Sequence, residues 1–131
     1  MATLTKKDYC DYDTCVALKE MGYVGASRYY YTQRDRKFHY DAYNKFYTVR
    51  AADAMGYVLA IHLYEAQKWL REEKDIHIEI DRIGCSTGYD WQVSIIEMEY
   101  NLCKSVINNN KSYEDALSEG IKEAVKILKE K

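Results

Sequence analysis

The chain has 131 residues, 47% of them apolar and 31% charged, with a net charge of −2. That is the length of one ordinary domain, able to bury a core without disulfides or metal, so residues 1–131 are read as a single domain. No apolar run approaches the ~18 residues of a membrane span, and the lysines of MATLTKKDYC are followed by no apolar stretch, so neither a membrane nor a secretory signal is expected and the cytoplasm is the expected location.

The first expected element is a short helix over residues 13–21. Asp13 supplies the cap, Val16, Leu18 and Met21 the apolar contacts, and Gly22 the left-handed residue that ends it. Residues 27–32 and 37–43 are rich in aromatics and flank the polar run Gln33, Arg34, Asp35, Arg36, the pattern of a β-hairpin. Residues 51–60 are ambiguous, because Ala51, Ala52, Ala54 and Met55 favour helix whereas Tyr57, Val58 and Leu59 after Gly56 favour an extended chain.

From Leu63 to Lys74 the residues Leu63, Ala66, Trp69 and Leu70 recur at helical spacing and form an apolar stripe. The period then changes to two: Ile76, Ile78 and Ile80 alternate with His77, Glu79 and Asp81, as a strand with one wet face requires. Residues 84–88 form a turn, and the chain returns with Tyr89, Trp91, Val93 and Ile95 on one face, a second hairpin. Asn108, Asn109, Asn110 and Lys111 read as a polar loop. Ser112 then caps a last helix whose inner face is Leu117, Ile121, Ala124, Val125 and Leu128. The order helix, hairpin, helix, hairpin, helix makes this an α+β chain, expected as two layers with one antiparallel sheet of two hairpins and helices on one face.

Three blocks, CVALKEMGY, LYEAQKWLREEKDIHIEI and SYEDALSEGIKEAVKIL, together resemble a group of small uncharacterised proteins encoded by phages and mobile elements of gut bacteria. The likeness covers about half the chain and lapses between Arg50 and His62. The group has no assigned activity, so the resemblance implies a genetic setting, disfavours a core metabolic enzyme and carries over no catalytic residue.

No catalytic constellation is legible. Cys85 or Ser86 with His77 would be a nucleophile and base, but His77 falls toward the far end of the hairpin and no G-x-S-x-G is present. The four cysteines Cys10, Cys15, Cys85 and Cys103 form no C-x-x-C pair, so with His39, His62 and His77 they offer no metal-ligand spacing, and no cofactor or metal is expected. Glu79 and Asp81, with Glu97 and Glu99 on the neighbouring strand, read as solubility charges on an exposed sheet face.

Charge and aromatic content are uneven. Residues 23–50 hold six basic residues against Asp35 and Asp41, a net of +4, leaving −6 for the rest of a chain of net −2. Fourteen tyrosines against two phenylalanines leave many rings with a hydroxyl that needs water or a partner. The expected function is therefore binding without catalysis through residues 28–50, with Arg28, Tyr30, Arg34, Arg36 and Tyr40 as the contacts. A protein partner or a second copy of the chain is the first expectation, single-stranded nucleic acid stacked on the rings the alternative, and a hydrolase a distant third.

Overall fold

A computed structural model describes residues 6–40, 46–85 and 88–131, with only the backbone of Cys85. The chain mixes helices with antiparallel sheets, as an α+β reading requires, and divides into two compact units, Met1–His62 and Leu63–Lys131.

In the first unit, a 3-10 turn (Lys6–Asp8) leads into helix α1 (Tyr12–Glu20). The cap is Asp11, not Asp13: the Asp11 carboxylate accepts from the Thr14 N–H at 2.8 Å. Gly22, at φ +104°, ends the helix in a Schellman arrangement, with the Gly22 N–H donating to the Lys19 carbonyl and the Tyr23 N–H to that of Leu18. The buried face is Thr14, Cys15, Ala17 and Leu18, while Val16 and Met21 are only half-buried.

Strands β1 (Ala26–Ser27), β2 (Tyr29–Thr32), β3 (Phe38–Tyr40) and β4 (Tyr47–Thr48) follow, then helix α2 (Val49–Ala54) and strand β5 (Tyr57–Leu59). The ambiguous stretch is thus both things in turn. Thr48 caps α2, its hydroxyl accepting from the Ala51 N–H, and Gly56 at φ +76° ends it and releases the extended chain. β2 and β3 form the expected hairpin around the exposed run 33–36; residues 41–43 of its second arm lie outside the described residues. β5 then adds to the free side of β2, giving a three-stranded antiparallel sheet β3-β2-β5, while β1 and β4 make a separate pair. Tyr31, Leu18, Val58, Leu59, Ala60 and Ile61 lie in its core with Cys10 and Cys15.

The second unit opens with helix α3 (Leu63–Lys74), which buries Leu63, Ala66 and Leu70. Trp69, expected in the core, is half-buried with the Lys74 ammonium 5.5 Å from its ring centre. Asp75, at φ +57°, turns the chain directly into strand β6 (Ile76–Cys85), which pairs in unbroken register with β7 (Gly88–Glu97). Residues 102–110 are a third strand, β8 (Leu102–Asn110), where the sequence suggests a loop at the asparagines. Its extra residues bulge: Lys104 is additional between Ser105↔Ile95 and Cys103↔Ile96, and Asn108 and Asn109 together face Gln92.

Helix α4 (Tyr113–Lys129) starts with the Ser112 hydroxyl accepting from the Asp115 N–H and packs across β6, β7 and β8. Its contact face includes Gly120 over Val93, Ile78 and Ile95. α3 packs on β6 and α4, and Gln67 of α3 donates to the Ile78 carbonyl at 3.0 Å. Among the described residues the expected single sheet of two hairpins is therefore corrected to two three-stranded sheets and a short pair. The physical reason is pairing at a distance: each hairpin completes its sheet with a strand, β5 or β8, that its own letters do not announce.

Candidate functional site

The tyrosine-rich sheet of the first unit has aromatics on both faces, because alternation along β2 sends Tyr30 one way and Tyr29 and Tyr31 the other. On the inner face Tyr31 is buried, and its hydroxyl donates to the Cys10 carbonyl at 2.7 Å. Burial holds that phenol well above the usual tyrosine range. Tyr29 stacks on Phe38 at 5.5 Å and 14°, and Tyr9 tilts against both rings. Tyr9 is pushed up to about 12, first by burial and then by its neighbours Tyr29 and Asp8, with Arg28 opposing.

The other face carries a ladder of three half-buried rings. Tyr30 lies 4.1 Å and 16° from Tyr57 of β5, and 5.6 Å and 23° from His39 of β3. Buried Tyr47 meets Tyr30 and Tyr57 edge-on at 5.6 and 5.7 Å. Three strands each supply one rung, and Tyr47 of β4 holds two of them upright.

The five residues singled out in the sequence do not share one surface. Tyr30 belongs to the ladder. Tyr40 is on the opposite face, at the exposed end of β3, 6.2 Å from Tyr29. Arg28 is half-buried. Arg34 is exposed in the hairpin turn; Arg36, at φ +57°, turns back so that its guanidinium lies 4.9 Å from the Tyr12 ring centre and 3.8 Å from Asp13. The turn is fixed further by Asp35, which accepts from the Thr32 hydroxyl and the Lys37 N–H; those bonds, the Thr32 one foremost, hold its carboxyl below the usual range. Of the other aromatics and bases in this stretch, Phe46 is exposed, and Tyr43 and Lys45 lie outside the described residues.

Tyr57 and His39 are the site residues that sequence reasoning missed. A Gly-Tyr-Val-Leu run after a short helix is the available signal for Tyr57, but its stacking partner lies in β2, far back along the chain.

Among the described residues the other candidate groups lie apart; Ser86 and the Cys85 side chain fall outside them. His77 pairs with Ile96, eight residues along β6 from Cys85, or roughly 27 Å at ~3.3–3.4 Å per residue. Glu79 and Asp81 face Ser94 and Gln92 rather than other acids, and Glu99 lies in a 3-10 turn (Met98–Tyr100). Glu97, expected on the wet face, instead points to the apolar one opposite Ile76 and is 7% exposed. It pairs with Lys131 at 2.5 Å and Lys104 at 4.0 Å. The Lys131 hydrogen bond, with the Lys104 charge behind it, holds the carboxyl below its usual range.

Cys10 and Cys15 are fully buried; the Cys15 thiol donates to the Cys10 carbonyl and accepts from the Ile61 N–H. The hydrogen bond with Cys15 and then burial raise the Cys10 thiol well above its usual range. Among the described residues no three His, Cys, Asp or Glu side chains are placed to share a metal ion, and no helix is long and apolar enough to cross a membrane. Compared with known proteins, the chain matches no family model, no curated protein and no solved structure.

Proposed function

We propose that the protein acts by binding another protein rather than by catalysis, as an accessory factor of a phage or mobile element. The contact surface is the Tyr30, Tyr57 and His39 ladder with the exposed Arg34 and Lys37 beside it in the hairpin. The observation that carries this reading is the 4.1 Å stack of Tyr30 on Tyr57. Rings that stack on one another spend their π faces internally and leave their edges for contact. That suits the polar-aromatic contacts of protein interfaces and leaves little for bases to stack on. The Asp13 carboxylate, 3.8 Å from the exposed Arg36, also offsets part of that charge toward a phosphate.

The test is affinity capture from the cells that make the protein, with wild type and Tyr57→Ser side by side. A protein retained by the wild type, insensitive to nuclease and lost with Tyr57→Ser, supports the reading. Recovery of nucleic acid instead, with binding to labelled single-stranded DNA that weakens steeply with salt, overturns it in favour of the nucleic-acid alternative.

A further inference from the structure

We propose that Cys10 and Cys15 form a redox site, at which a peroxide joins the two thiols into a reversible disulfide that fastens the start of α1 to the tyrosine-rich sheet. Their placement follows from the cap. With Asp11 capping the helix, Cys10 is the residue before the cap and Cys15 the fourth residue of α1. Those two positions pack against each other across a helix start, a staple ordinarily made by two hydrophobic side chains. Here both halves of the staple are thiols, and both are sealed from solvent, at 1% and 0% exposure.

The sulfurs share one small enclosure. The Cys15 thiol donates to the Cys10 carbonyl at 3.5 Å and accepts from the Ile61 N–H at 3.4 Å, and the two thiols are hydrogen-bonded to each other. Cys10 is also fixed from the other side. Its N–H donates to the Ile61 carbonyl at 2.8 Å, and its carbonyl accepts from the Tyr31 hydroxyl at 2.7 Å. Tyr31 lies in β2 and Ile61 follows β5, so the Cys10 end is tied to the sheet whereas Cys15 belongs to the helix. Contact between the sulfurs is the geometric precondition for a disulfide. As a packing pair, two thiols bury less apolar volume than two valines or leucines, so the reduced staple is weak for its position. A disulfide strengthens it by restricting the opened chain.

The chemistry balances with hydrogen peroxide as the oxidant. One sulfur, its proton lost, attacks a peroxide oxygen; the O–O bond breaks and leaves a sulfenic acid and hydroxide, which becomes water with the lost proton. The other sulfur attacks the sulfenic sulfur and expels hydroxide, which takes up the second thiol's proton. Two thiols are oxidised, and one peroxide is reduced to two waters. Burial makes the first step slow: peroxide meets these sulfurs as the first turn of α1 opens, and the Cys10 thiol is held protonated. The site does not depend on the contact surface proposed above.

The test uses the full chain carrying Cys85→Ser and Cys103→Ser, so that no other sulfur takes part. It is incubated with hydrogen peroxide in the absence of denaturant, alkylated and digested. Trypsin cuts after Lys7 and Lys19, so one peptide holds both cysteines. The expected product is that peptide unalkylated and lighter by two hydrogen atoms, becoming alkylated at both positions once a dithiol has reduced it. The bridged chain should unfold at a midpoint at least about 5 °C above the reduced chain, and Cys10→Ser in the same background should abolish the shift. Thiols that both still alkylate after peroxide, oxidation of either to a sulfinic acid without a bridge, a bridge between two chains, or a bridge that forms in denaturant alone overturns the proposal. A bridged chain whose midpoint is no higher than that of the reduced chain overturns it as well.

Discussion

Gly120 of α4 lies directly over Val93 of β7: a Cβ on Gly120 would sit 2.6 Å from one Val93 methyl carbon and 2.8 Å from a methyl of Ile78. Glycine within a helix ordinarily costs about 1 kcal/mol relative to alanine, so Gly120→Ala should stabilise the protein on propensity alone. Both obstructing methyls belong to stiff β-branched side chains, and forcing extra volume into a packed core costs about 1–3 kcal/mol. The expected outcome is net destabilisation in denaturant unfolding, relieved in part when Val93→Ala is added.

Glu97 and Lys131 give the stability of the second unit a definite pH dependence. The Glu97 carboxyl is depressed in the folded protein, so its contribution is fully present above the ordinary glutamate value of ~4.3 and is lost as pH falls through the folded value. The hydrogen bond to Glu97 raises Lys131, whose contribution is present below ~10.4 and is lost as pH rises through its own higher folded value. Thermal unfolding between pH 7 and pH 3 should fall less steeply for Glu97→Gln than for wild type. At pH 7 that variant should be less stable, with the gap narrowing in high salt.

The start of α1 can be assigned by two substitutions. Asp11→Ala removes the acceptor of the Thr14 N–H and should cost ~1 kcal/mol, the usual value of a lost cap. Asp13→Ala removes only an exposed pairing with Arg36 and should cost less than Asp11→Ala, in the ~0–1 kcal/mol range of surface ion pairs. Parallel chemical denaturation of the two variants checks the order.

Thiol chemistry should separate the cysteines by rate. Cys103 is exposed and should react within minutes with an aromatic disulfide reagent. Cys10 and Cys15 are buried, with the Cys10 thiol held protonated, so they should react only as the first unit opens. Mass mapping of labelled peptides with and without denaturant reads this directly.

Elements whose chemistry is local were legible in the chain. The residues 63–74 carry a 3.6-residue apolar period, residues 76–80 a period of two, and Ser112 and Gly22 mark a helix start and a helix stop, all of which appear at those positions. β8 escaped because an edge strand with bulges and three consecutive asparagines lacks the alternation that signals burial. α2 is only six residues long, too short to show a period. Alternation along β2 separates Tyr30 from Tyr29 and Tyr31, but which face is covered depends on where α1 comes to rest, a contact distant in sequence. The positive φ of Arg36, whose exposed side chain lies over Tyr12, is not revealed by a polar run of letters.

The bulges of β8 bear on the protein's behaviour when concentrated. A straight outer strand is a template on which further chains can add indefinitely, and the unpaired extra residues at Lys104 and at Asn108 and Asn109 twist this one out of even spacing. Excising Lys104 would regularise the margin beside Leu102 and Val106, whose side chains are already solvent-facing. The shortened protein should then form dye-binding fibrils on standing, where the parent stays clear.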